Sequence, residues 1–168
     1  MAKYPNWFSG MRITSQLLAE MIWDEVTPSS NQTVTNSTTF VNTGIVIPVV
    51  ANARYRYSLW AAYSGGAGNI KFDWTAPASG GGVDRYGQGP GSTSSGGSGN
   101  ATNMSTRRET AATSVGLYAA TNTLYMEEGI ITAGTADSSA TLRFAQNAAD
   151  AAGTTFSSAS RCWFVRVG

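Results

Sequence analysis

Histidine is absent from these 168 residues, cysteine occurs once, and Asp, Glu, Lys and Arg together make up only 12%. Without histidine there is no Ser-His-Asp or Cys-His nucleophile and no His-ligated metal centre. Cys162 has no second cysteine to bridge and no histidine to activate it, so in "RCWFVRV" it reads as a small buried apolar residue. The formal net charge of +1 excludes the basic footprint of a dedicated nucleic-acid binder. No run of like charges marks a membrane-surface or acidic-partner patch. No stretch of about 18 apolar residues offers a membrane-spanning helix. The opening "MAKYPNWFSGMRITSQ" holds one lysine and no apolar core, so it does not read as a secretory signal. The glycosylation-type triplets at Asn31, Asn36, Asn100 and Asn103 then read as by-products of an Asn/Ser/Thr-rich surface. No cofactor or metal is expected.

What is present is small, polar and β-prone. Residues 2–10 form an aromatic arm containing Tyr4, Pro5, Trp7 and Phe8. "TSQLLAEMIWDEV" predicts one short amphipathic helix. Thr14 or Ser15 would cap it, and Leu17, Leu18, Met21, Ile22 and Val26 would form its apolar stripe. A helix of that length is marginal alone and needs something to dock against. After Pro28 the texture changes to "NQTVTNSTTFVNTGIVIPVV", "ARYRYSLWAAY", "NIKFDW", "TSVGLYA", "TLYMEEGIIT", "ATLRFAQ" and "RCWFVRV". Short alternating runs with turn residues between them predict an antiparallel β-sandwich or barrel. The chain thus divides into an arm and helix at 1–30, for docking or oligomerisation, and a mainly β sandwich domain at 31–168.

The stretch 79–100 holds nine of the nineteen glycines and reads as a long exposed loop. Its Asp84, Arg85 and Tyr86 are the side chains there with recognition potential. "GQGPG" lacks the Lys-Ser/Thr pair and following helix that a phosphate loop needs. Glu127 and Glu128, adjacent on a predicted strand, should point to opposite faces. Asp73 with Glu127 or Glu128 is the best carboxylate pair for a glycosidase, but nothing in the sequence brings these groups together. Arg107 and Arg108 before Glu109 read as a solvated strand edge or an inter-subunit ion pair. Alternation turns Tyr55 and Tyr57 inward with Leu59, leaving Trp60 and Arg56 on the other face. Near the C-terminus, Leu142 and Phe144 should point inward. The strand over 161–167, apolar on both faces, should lie inside a sheet or at a subunit seam. Asn147 to Ser160 between them reads as a surface loop.

"YPNWFSGMRITSQLLAEM", "QTVTNSTTFVN", "IPVVANARYRY", "LRFAQN" and the closing "RCWFVRV" together resemble small virion surface proteins of tailed phages infecting actinobacteria. Such proteins are of head-decoration, head-fibre or minor-tail type. The Ala-rich "AQNAADAAG" and the glycine stretch depart from that pattern. The resemblance implies a non-enzymatic structural protein of jelly-roll type, a homotrimer made in the host cytoplasm and carried on the particle surface. It would bind the capsid shell as a decoration protein. The alternative is a minor tail or receptor-binding protein that recognises host-wall glycan. Tyr4, Pro5, Trp7, Phe8, Met11, Leu17, Leu18, Met21 and Ile22 would be its partner-binding anchors, because interface hot spots favour aromatic and large apolar side chains.

Overall fold

The computed structural model describes Gly10, Arg12, Thr14, residues 22–91, 104–110, 115–117, Ala119 and residues 123–168. For 104–110 and 115–117 the description is of the backbone. Tyr4, Pro5, Trp7, Phe8, Met11, Leu17, Leu18 and Met21, hence most of the expected docking anchors, lie outside the described residues. Ile22 lies within them and is exposed.

The described chain is mainly β, with every strand pair antiparallel. Its strands are β1 (Asp24–Val26), β2 (Gln32–Val34), β3 (Val41–Val49), β4 (Arg54–Ser64), β5 (Ile70–Thr75), β6 (Gly82–Pro90), β7 (Met104–Thr110), β8 (Val115–Leu117), β9 (Thr123–Thr132), β10 (Ser138–Ala145), β11 (Thr154–Phe156) and β12 (Arg161–Arg166). The larger sheet runs β1-β12-β4-β9-β6-β7, with β11 joining β2 to the far end of β4; the smaller runs β3-β10-β5-β8.

The alternation that marks these strands in the sequence also sorts their side chains. In β4, Tyr55, Tyr57, Leu59, Ala61 and Tyr63 are buried while Arg54, Arg56 and Trp60 face out. Ile45 and Ile47 of β3, Phe72 and Trp74 of β5, and Leu142 and Phe144 of β10 are fully buried in the same apolar cluster. Aromatic rings stitch the sheets together. Trp74 lies 5.1 Å from Tyr57, and Phe72 lies 5.5 Å from both Tyr63 and Tyr125. Each such ring removes a large apolar area from water, and truncating one to alanine costs about 3–5 kcal/mol.

Three expectations need correction. The predicted helix would run through Val26, yet Asp24–Val26 is β1 and pairs with Cys162 to Phe164 of β12. The ladder's backbone hydrogen bonds and the burial of neighbouring Pro28 outweigh the helical spacing there. The expected loop at 79–100 contains β6, a nine-residue strand in the larger sheet. The expected surface loop at 147–160 contains β11, whose Thr154 and Phe156 are fully buried. Gln146 holds the turn before it. Its amide donates to the carbonyls of Asp150 and Ala152 and accepts from the N–H groups of Ser37 and Asp150, using its full bonding capacity inside the fold. As expected, β12 lies inside the sheet, between β1 and β4.

Candidate functional site

The expected recognition trio Asp84, Arg85 and Tyr86 sits on β6 rather than on a loop, and alternation splits it. Tyr86 is half exposed on the outer face, whereas Arg85 is 1% exposed and enters the core. There it meets Glu127 of β9, also 1% exposed. Arg85 Nε donates to Glu127 Oε2 at 2.9 Å, and Nη2 lies 2.7 Å from the same oxygen. Tyr125 donates its hydroxyl to Oε2, while the Tyr57 hydroxyl and Trp74 Nε1 each donate to Oε1 at 2.7 Å. Four side chains from β4, β5, β6 and β9 therefore converge on one carboxylate. This satisfies the buried charge and fixes the register of three neighbouring strands of the larger sheet.

The tyrosines reach Glu127 only because glycines make room. A Cβ on Gly87 would lie 1.9 Å from the Tyr125 hydroxyl, and one on Gly129 would lie 2.6 Å from the Tyr57 ring. Burial, reinforced by the Glu127 charge, holds the hydroxyls of Tyr57 and Tyr125 well above the ordinary tyrosine range. Burial disfavours the Arg85 charge, but Glu127 more than offsets that and holds the guanidinium protonated.

The other carboxylates considered for chemistry are also engaged. Asp73 pairs with Arg143 on the outside of the smaller sheet, where the Arg143 guanidinium lies 5.2 Å from the Phe40 ring. Glu128 points to the opposite face from Glu127, as expected, and pairs with Arg56 at 3.0 Å. Asp73 and Glu127 thus belong to separate ion pairs on different sides of β5. Arg107, Arg108 and Glu109 stand opposite Gly87, Tyr86 and Arg85 on β7, at the end of the described strand order. Cys162 is buried and free, and burial pushes its thiol well above the usual range. Among the described residues no cluster of three or more His, Cys, Asp or Glu could hold a metal ion. No helix among them is long and apolar enough to cross a membrane.

The outer face of the larger sheet carries a row of accessible aromatic and charged side chains. The register aligns Glu25, Trp163, Ser58, Glu128 and Tyr86 in one row across five strands. The next row aligns Arg161, Trp60, Met126 and Gln88. Trp60 is 50% exposed and meets Trp163 edge-on at 5.4 Å. Glu25 accepts from Trp163 Nε1 at 3.1 Å and from Arg161 Nη1 at 2.6 Å, which anchors that ring pair to β1. Trp23 lies 6.0 Å from the Arg56 guanidinium on the same face. Between Trp60 and Tyr86 lies an open trough of about 310 Å³. Sequence alternation placed Trp60 and Arg56 together but missed the trough, because its second wall stands on the unrecognised strand β6. No family model, curated protein or solved structure matches this chain.

Proposed function

We propose that this chain is a non-enzymatic structural protein of a phage particle's exterior, a head-decoration protein that binds the major capsid shell. In this reading the two sheets form a jelly-roll-like sandwich that assembles as a homotrimer. The arm and amphipathic segment at 1–30 dock it to the shell, and the β body faces outward. The observation that carries the reading is the use made of Glu127. The best-placed acid in the chain is held by Tyr57, Trp74, Arg85 and Tyr125 as a structural tie between strands. Glu25, Asp73 and Glu128 are likewise engaged in ion pairs. Side chains that could do chemistry are spent on rigidity, which leaves the surface as the functional part. The resemblance of the sequence to virion surface proteins supplies the setting.

A second reading, a minor tail or receptor-binding protein for host-wall glycan, is favoured by the exposed aromatic face of the larger sheet. Deleting the gene separates the two. A decoration protein's loss lowers the temperature at which particles release DNA while adsorption persists; a receptor-binding protein's loss abolishes adsorption and leaves heads unchanged. Removal of residues 1–13 should abolish binding to particles that lack the protein, and intact binding would refute docking through the arm.

A further inference from the structure

The geometry points to a saccharide-binding site in the trough between Trp60 and Tyr86, one that takes an uncharged pyranose-containing glycan. The two half-exposed rings stand on β4 and β6, with β9 between them. Adjacent strands are about 4.8 Å apart and Tyr86 stands two residues along β6 from Gln88 in the Trp60 row, so the walls rise from backbones roughly 12 Å apart on a diagonal, with room for one sugar ring between them. The floor combines the Met126 thioether with Ser58 and Glu128, and Gln88 stands on the Tyr86 side. This mixture matches a pyranose. Its C–H face is apolar and stacks on an aromatic ring, while its hydroxyl edge exchanges hydrogen bonds with carboxylate, amide and hydroxyl groups. A flat apolar protein partner fits less well, because it would strip water from Glu128, Gln88 and Arg56 without supplying hydrogen bonds.

The site is also organised in advance. Arg161 and Glu25 hold Trp163 by an ion pair and a hydrogen bond, and Trp163 backs Trp60 edge-on. Arg56 orients Glu128 from the other side. A large side chain kept half exposed yet fixed loses little rotamer freedom on binding, which is the economy a recognition surface needs.

The inference concerns the isolated protein and does not rest on where the particle carries it, so it can fail while the decoration reading stands, and the reverse. The test titrates the full chain with cellotriose, chitotriose and mannotriose, read by tryptophan fluorescence and by saturation-transfer NMR. The expected result is binding of at least one trisaccharide with Kd between about 10 μM and 1 mM. Trp60→Ala and Tyr86→Ala should each weaken it by about tenfold or more. Val46→Ala, at an exposed position of the smaller sheet, should leave affinity unchanged. No binding of any of the three at about 10 mM overturns the proposal. So does an affinity in the two aromatic variants equal to that of the unaltered protein. Loss of self-association in Trp60→Ala without any sugar binding also overturns it, and would assign this face to contacts between copies.

Discussion

Replacing Glu127 with glutamine changes one oxygen to an amide and leaves the shape of the core intact. Its effect therefore measures the charge itself. The Gln carbonyl can keep the Tyr57 and Trp74 hydrogen bonds made to Oε1. The new NH₂ then faces the N–H groups of Arg85, donor against donor, where Oε2 had accepted from Arg85 and Tyr125. Arg85, 1% exposed, is left as a buried cation without the Glu127 charge. Removing one partner of such a pair costs about 3–5 kcal/mol. Against a total stability of about 5–15 kcal/mol this is a large fraction. It corresponds to a fall in Tm of roughly 10 °C for a domain of this size. Arg85→Met combined with Glu127→Gln removes both charges, fills the space with an apolar chain and leaves the amide to bond the tyrosines. The double variant should be more stable than Glu127→Gln alone, with a coupling energy of about 2 kcal/mol or more. Urea unfolding followed by tryptophan fluorescence and far-UV circular dichroism gives all four corners of the cycle. A loss below about 1 kcal/mol in Glu127→Gln, or strict additivity in the double variant, would refute a structural role for the buried charge pair.

The remaining predictions concern pH, packing and reactivity. The tyrosines at 57, 63 and 125 have hydroxyls raised above 10.0 in the fold, chiefly by burial. Above pH 10 the unfolded chain therefore loses protons that the folded chain keeps. The buried Cys162 thiol, raised above 9.0, adds a smaller loss that begins near pH 9. Stability should be intact below about pH 9 and fall with a slope approaching about 5 kcal/mol per pH unit above pH 10, read from urea midpoints; a flat profile contradicts the buried network. Gly129→Ala places a Cβ 2.2 Å from the Asp84 carbonyl oxygen and should cost about 3 kcal/mol or more, whereas Gly82→Ala meets nothing within 4 Å and should be near neutral. Gln146→Leu should cost about 3 kcal/mol by leaving the turn at 147–152 without its amide clamp, measured in the same unfolding assay. Cys162 should resist a disulfide reagent in the folded protein and react only as the chain unfolds; rapid reaction under native conditions contradicts its burial.

Most of the mainly β character was legible in the sequence, and the reason lies in particular strands. "RYRYSLWAAYS" alternates large apolar and polar side chains, and that alternation is what one buried face requires. "RCWFVRV" carries apolar residues on both faces because it is paired on both edges and partly covered outside. β6 defeated the same reasoning. Its inward positions are Val83, Arg85, Gly87 and Gly89, the reverse of an apolar pattern. Arg85 is tolerable there because it pairs with Glu127, 42 residues away in the chain, and Gly87 because the Tyr125 ring fills the space over it. Both compensations are long-range and invisible to local periodicity. β1 was hidden for a related reason: Val26 fits a helical stripe as well as a strand edge, and only the ladder to β12 decides between them. The trough inherits the same blindness, since one wall stands on the legible strand β4 and the other on β6.

The claim that this protein works as a structural surface of a particle is tested most directly by its stoichiometry. Purified particles would be resolved by electrophoresis and the band of this chain quantified against that of the major capsid protein. A decoration role predicts copies comparable in number to the capsid protein; a handful per particle, or none, would contradict it.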